Sequence, residues 1–229
     1  MSTTRAQRAT VERPGAEAWL PARRSLEALR RAAQECQGCE LYKDAIQAVV
    51  GEGRTDADLV LLGEQPGDQE DRQGQPFVGP AGKLLARALE AADLDPDRVF
   101  RTNAVKHFRF TRTATKRRMH RSPDLAHMRA CSPWLLAELD IVQPTGVALL
   151  GATAGKAVFG SGFRVSEYRG RVVDWPGEPA EENHPMPWTV ATIHPSAVLR
   201  ANDRDDAFDD LVADLVAARE ALARRDARS

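Results

Sequence analysis

The chain has few cysteines, no long apolar run and no excess of charge of one sign. Three cysteines among 229 residues are too few for a disulfide framework. Two of them, Cys36 and Cys39, form a CxxC pair, which points to metal binding or redox chemistry without choosing between them. No run of ~18 apolar residues is present to span a bilayer. The first residues, MSTTRAQRATVERPG, lack the apolar stretch of a secretory signal. A cytoplasmic protein with no membrane partner is therefore expected. The formal net charge of -1 gives no global attraction to a polyanion, so any nucleic-acid affinity must come from local clustering of the 32 Lys and Arg residues. No internal repeat or low-complexity segment is seen.

With 42% hydrophobic residues the chain can bury one substantial core. Residues 1 to about 15 are polar, contain Pro14 and Gly15 and show no period, which predicts a flexible tail. A single domain is expected over 16–224, with a short tail at 225–229. From Pro21 to Gln37 good helix formers dominate, and Leu26, Leu29 and Ala33 recur at helical spacing. That predicts a helix with Pro21 in its first turn and Cys36 at its end.

Four apolar segments read as buried strands: 58–63, 99–105, 146–150 and 188–193. Helical patterns separate them at 79–92, at 125–139 despite Pro133, and from Ala152 onward. This alternation predicts a three-layer α/β/α fold around a mainly parallel four-stranded sheet. In the last helix Phe208, Leu211, Val212, Leu215 and Val216 mark one buried face, and Asp209, Asp210 and Asp214 lie off that stripe, toward water. The stretch from Trp175 to Pro187 reads as an exposed loop.

The loop from Glu64 to Pro76 leaves the carboxyl end of a strand, where open α/β sheets bind their ligands. Its first residues, GEQPGD, put two carboxylates and an amide on a glycine-flanked turn. An ordinary strand-to-helix turn with solvated acids has the same composition. His194 follows the last core strand and could face the same cleft, or serve structure alone. Together the two loops offer a carboxylate near a developing positive sugar and a donor for a departing base, as glycosidic cleavage requires. The segments GATAGK and GPAGK do not have phosphate-loop spacing. Arg109, Arg112, Lys116, Arg117, Arg118 and Arg121 cluster with no acid among them, as a solvated loop or a polyanion contact would.

Taken in order, GEQPGDQED, PFVGPAGKLL, NAVKHF, KRRMH, LGATA and HPSAVLR resemble the segments of family-4-like uracil-DNA glycosylases. The likeness covers roughly Cys36 to Leu215. KRRMH resembles the inserted loop that marks the X-type class of that family. The resemblance implies base flipping, with uracil read in a pocket. It assigns Phe77 to stacking on the base and Asn103 to hydrogen-bonding the uracil edge, since an amide can both donate and accept. His194 would steady negative charge on the leaving uracil, and Glu64, Gln65 and Asp68 would line the sugar side. His120 matches the histidine that captures C1′ in place of water, with Glu64 orienting or deprotonating it; a neutral imidazole is a competent nucleophile. Lys116, Arg117, Arg118 and Arg200 would contact DNA phosphates, giving salt-dependent binding.

Family-4 enzymes hold a four-iron, four-sulfur cluster with four cysteines, and the third falls in the segment written here Val105-Lys106-His107. The resemblance thus assigns Cys36, Cys39, His107 and Cys131 as ligands. On donor chemistry alone, three Cys and one His describe a zinc site equally well. The expected partner is uracil-containing DNA, and the protein itself is expected to be a monomer.

Overall fold

The computed structural model describes residues 13–176 and 186–226. Its centre is a sheet of five strands in the order β2-β1-β5-β7-β6: β1 (Leu59–Gly63), β2 (Val99–Asn103), β5 (Gly146–Leu150), β6 (Val172–Asp174) and β7 (Trp188–Thr192). The four apolar segments form the parallel strands. They read as continuous apolar runs because helices cover both faces; every residue of β1 and β5 is buried. The expected count of four is corrected to five. The added strand, β6, is a three-residue antiparallel edge with little burial, too short and too exposed to stand out by pattern.

The covering helices are α1 (Leu26–Ala33), α3 (Pro80–Ala91), α4 (Leu125–Val142), α5 (Gly151–Phe159) and α8 (Arg204–Asp226), with the short helices α2 (Asp68–Gln73), α6 (Val165–Tyr168) and α7 (Pro195–Val198) between them. One apolar core packs α3 and α8 against one face of the sheet, through Leu85, Leu89, Leu211 and Leu215. The other face packs against α4 and α5 through Leu135 and Ala154. A third cluster joins α1 to α4 and holds Cys36, Cys39 and Cys131. Among the described residues no helix is long and apolar enough to cross a membrane.

Several local expectations are revised. Helix α1 starts at Leu26, capped by the Ser25 side chain, so Pro21 lies outside it and Cys36 falls beyond its end. The stretch from Glu64 to Pro76 contains α2, which ends at Gly74 in the left-handed region. Asp214 does not face water: it is buried, accepts a hydrogen bond from Thr192 Oγ1 at 2.7 Å and pairs with Arg169. Within the stretch read as a tail, Arg13 pairs with Glu40 and Asp124. The loop at 175–187 lies mostly outside the described residues.

The basic segment folds as a hairpin. β3 (Phe110–Arg112) pairs antiparallel with β4 (Arg118–His120), placing His120 opposite Phe110 and Arg118 opposite Arg112. Lys116 adopts a left-handed backbone at its tip.

Candidate active site

The chain runs from β1 outward to β2, then returns across β1 to add β5 and β7. The connections therefore diverge between β1 and β5, and their carboxyl ends open a crevice there. Glu64 follows β1, Asn103 ends β2, Thr153 lies in the first turn of α5 after β5, and His194 follows β7. The sheet order gathers residues that are far apart in sequence.

Glu64 is three-quarters or more buried, with its side chain 17% exposed. Oε2 accepts a hydrogen bond from Thr153 Oγ1 at 2.5 Å. Oε1 lies 3.3 Å from His120 Nε2, yet no hydrogen bond satisfies it. Burial pushes this carboxyl up, but His120, Thr153 and Ser122 outweigh it and hold the group below the ordinary glutamate value. Glu64 is thus an ionised carboxylate beside a half-exposed imidazole.

His194 caps α7. Its Nδ1 accepts from the Ser196 backbone N–H at 3.1 Å and contacts Ser196 Oγ at 2.7 Å. An Nδ1 that accepts leaves the ring proton on Nε2, so the neutral ring is a donor. Burial holds its pKa down to about 4, against the smaller upward pull of Glu64. Gly151 adopts a left-handed φ of 88° beside it; a Cβ there would stand 2.8 Å from His194 Cβ. The turn into α5 needs glycine for both reasons.

Phe77 and Asn103 meet over Gly63. A Cβ on Gly63 would stand 2.3 Å from Asn103 Oδ1 and 2.7 Å from Phe77 Cζ, so ring and amide converge on a bare stretch of backbone. Asn103 is 3% exposed, and among the described residues no hydrogen bond engages its amide. Phe77 has a positive φ of 59°, which a non-glycine residue holds only where its surroundings impose it. The buried Glu70 carboxylate helps fix that loop by accepting from the Gly79 N–H at 2.9 Å.

The hairpin carrying His120 is fastened at two points. The Gln65 amide donates to the carbonyls of Arg109 and Arg121 at 3.1 Å each, and accepts from the Arg109 N–H at 3.0 Å. Its side chain is fully used in gripping both arms. Arg118 turns inward, with its side chain 6% exposed, to Asp68 and the fully buried Asp71, and lies over the rings of Phe108 and Phe110. Arg118 therefore leaves the set of cations expected to meet phosphates, because its guanidinium is consumed inside the protein. Asp68 pairs with Arg118 and with Arg72 at 3.0 Å, instead of joining Glu64 and His120. Lys116, Arg117 and Arg200 are exposed.

Cys36, Cys39 and Cys131 are free thiols buried in one apolar cluster. Trp134 Nε1 donates to Cys36 Sγ and the Lys106 N–H to Cys131 Sγ, both at 3.3 Å. His107, the next residue, is buried, and burial lowers its pKa to about 4. Among the described residues, no three or more His, Cys, Asp or Glu side chains meet in a metal-holding group. His127 is fully buried in a capping box with Asp124 and contacts Glu40 at 3.0 Å. His184 lies outside the described residues.

Sequence reasoning missed Thr153, Glu70 and Asp71 as parts of the site. Thr153 stood within the quoted LGATA segment, and its signal was position: a hydroxyl in the first turn after a strand at the crevice.

Residues 50–216 match the family described as the uracil DNA glycosylase superfamily. The chain is similar to proteins named Type-4 uracil-DNA glycosylase, among them those of three organisms. That of Thermotoga maritima is 33% identical over 176 residues, 76% of this chain and 83% of the relative. That of Sulfurisphaera tokodaii is 34% identical over 180 residues, 76% of each. That of Pyrobaculum aerophilum is 33% identical over 184 residues, 76% of this chain and 85% of the relative.

Proposed function

The chain belongs to the uracil DNA glycosylase superfamily, and from that membership we propose that it excises uracil from DNA and that His120 then captures the exposed sugar. The crevice supplies a part for each step. Phe77 and Asn103 receive the flipped base, ring against ring and amide against the uracil edge. The C1′–N1 bond breaks with its electron pair going to uracil, and the Nε2–H of neutral His194 stabilises that negative charge. Ionised Glu64 stands by the positive sugar. One ring nitrogen of His120 then gives its lone pair to C1′, forming a carbon–nitrogen bond. The proton on the other nitrogen passes to Glu64 or to water, leaving a neutral ring joined to the DNA. The uracil anion takes a proton from solvent.

The observation that carries the second step is the 3.3 Å approach of His120 Nε2 to Oε1 of the buried Glu64 carboxylate. A purely DNA-contacting histidine would have no need of a buried carboxylate. The test is a denaturing gel of protein mixed with an oligonucleotide carrying one uracil, beside a thymine control. A uracil-dependent band that survives denaturation and disappears in His120→Ser is expected; a band that persists in that variant overturns the assignment. A turnover glycosylase is the second reading, favoured by the type-4 names of the relatives. It predicts uracil released in excess over enzyme, with no shifted band.

A four-iron, four-sulfur cluster held by Cys36, Cys39, Cys131 and His107 is part of the same proposal. Cys36, Cys39 and Cys131 are buried within one apolar core and two of them receive N–H donors, so they supply the soft thiolate donors such a group takes, although no three ligand side chains meet closely enough to hold a single ion among the described residues. Among the described residues nothing hydrogen-bonds the His107 ring, which leaves its nitrogens available. When bound, the group would tie the N-terminal segment to α4, since cleavage of an N-glycosidic bond transfers no electrons. Iron and visible absorption in purified protein are expected; zinc without iron would replace the cluster by a zinc site.

Lys116, Arg117 and Arg200 are assigned to phosphates on charge and exposure, and a cytoplasmic monomer completes the proposal.

A further inference from the structure

The two oxygens of Glu64 have different surroundings. Oε2 is taken by Thr153 Oγ1 at 2.5 Å, whereas buried Oε1 lies 3.3 Å from His120 Nε2 without a well-aligned hydrogen bond, and the Ser122 side chain also acts on the carboxylate. The last torsion of a glutamate is broad, so without a fixed partner the carboxylate plane would swing and present either oxygen in any of several directions. Thr153 sits in the first turn of α5, beside the crevice. Its β-branched side chain has few χ1 choices in a helix, and its hydroxyl is turned to Glu64. The partial positive charge of a helix start also favours an anion here.

We propose that Thr153 is a positioning residue for Glu64: its hydroxyl fixes Oε2, so that Oε1 stays aimed at His120. The assignment rests on His120 as the group that captures the sugar. Thr153 touches Glu64, not the reacting atoms, so its effect must show in how Glu64 titrates and how His120 reacts.

Thr153→Val removes the hydroxyl and keeps the shape; Thr153→Ser keeps the hydroxyl. Both are compared with the natural chain under single turnover on an oligonucleotide carrying one uracil, following uracil release and denaturation-resistant adduct from about pH 3.5 to pH 8, with the protonation of His120 and His194, which face Glu64, common to all three proteins. A hydrogen bond to a charged group sets the expected scale: Thr153→Val slows adduct formation about 10- to 100-fold. It also moves the acid limb of that rate to higher pH, because a buried carboxylate short of a donor protonates more readily. Thr153→Ser restores both. An unchanged adduct rate and acid limb in Thr153→Val overturns the proposal, as does equal loss in both variants with a lowered melting temperature, which marks a packing role. If the natural chain releases uracil and forms no adduct, the His120 assignment fails separately. The grip of Thr153 on Glu64 is then read from the acid limb of uracil release: a shift restored by serine supports it, and an unmoved limb overturns it.

Discussion

The Arg118 guanidinium, on the hairpin that ends at His120, is paired with the fully buried carboxylate of Asp71 on α2. Asp71 also accepts the Ile46 N–H at 3.0 Å, so one side chain joins the hairpin, α2 and the segment that follows Cys39. Removing one member of a buried pair leaves the other charge without a partner, at a cost of about 3–5 kcal/mol. Asp71→Ala is expected to lose that much in urea unfolding, a large share of an ordinary domain's stability. Arg118→Met should speed hydrogen exchange across 110–120 even where the rest of the fold holds. A loss below about 1 kcal/mol in Asp71→Ala would mean that the pair is well solvated, as surface pairs are.

Lys116 and Arg117 should behave in the opposite way. Both are exposed at the hairpin tip and carry no structural ion pair among the described residues. Replacing either with alanine should leave the melting temperature unchanged. It should lower the slope of log affinity for uracil-containing DNA against log salt by about 1. Slopes equal to that of the natural chain would remove these residues from the DNA interface.

The contrast between Arg117 and Arg118 shows where sequence reasoning stopped. The parallel strands and the large helices were legible because burial on both faces demands apolar runs, and Leu59–Gly63 and Gly146–Leu150 consist of little else. The crevice followed, since strand ends place ligands. The hairpin was not legible: its arms, Phe-Thr-Arg and Arg-Met-His, are three residues each and are held by Gln65 and Arg118 rather than by an apolar pattern. Which of two adjacent arginines turns inward depends on strand alternation, and the strand itself had no signal. Asp214 and His127 escaped for a related reason. A buried polar group is stabilised by partners from distant elements, and a hydrophobic stripe does not reveal them.

His194 makes stability depend on pH in a stated direction. Its folded pKa, about 4, lies below the ordinary histidine value of 6.5. Between those values the unfolded chain binds a proton that the folded chain does not, so stability falls as pH drops through that window and is independent of this group above it. The limit is about 3 kcal/mol. His107 acts in the same direction, so the measurement is a difference: urea midpoints at about pH 7 and pH 4.5 for the natural chain and for His194→Gln. A smaller acid loss in the variant is expected. Equal losses would show that the ring titrates alike in both states.

Lys106 and Glu138, each 1% exposed, form the deepest ion pair among the described residues. Lys106 Nζ donates at 2.8 Å to Glu138 Oε2, to Thr102 Oγ1 and to the carbonyl of Asn103, while Glu138 Oε1 accepts from the Gly51 N–H at 2.8 Å. The pair therefore holds the end of β2, where Asn103 must stand. Lys106→Met alone leaves a buried carboxylate short of its cation, and Glu138→Leu alone leaves a buried ammonium; each should cost about 3–5 kcal/mol. Replacing both removes the two charges together, and the double variant should be more stable than the sum of the single losses predicts. It should still release uracil more slowly than the natural chain, because the Asn103 carbonyl has lost its donor. Strict additivity in urea unfolding would mean that the two charges do not depend on each other. Full uracil release by the double variant would mean that Asn103 is held by β-sheet pairing alone.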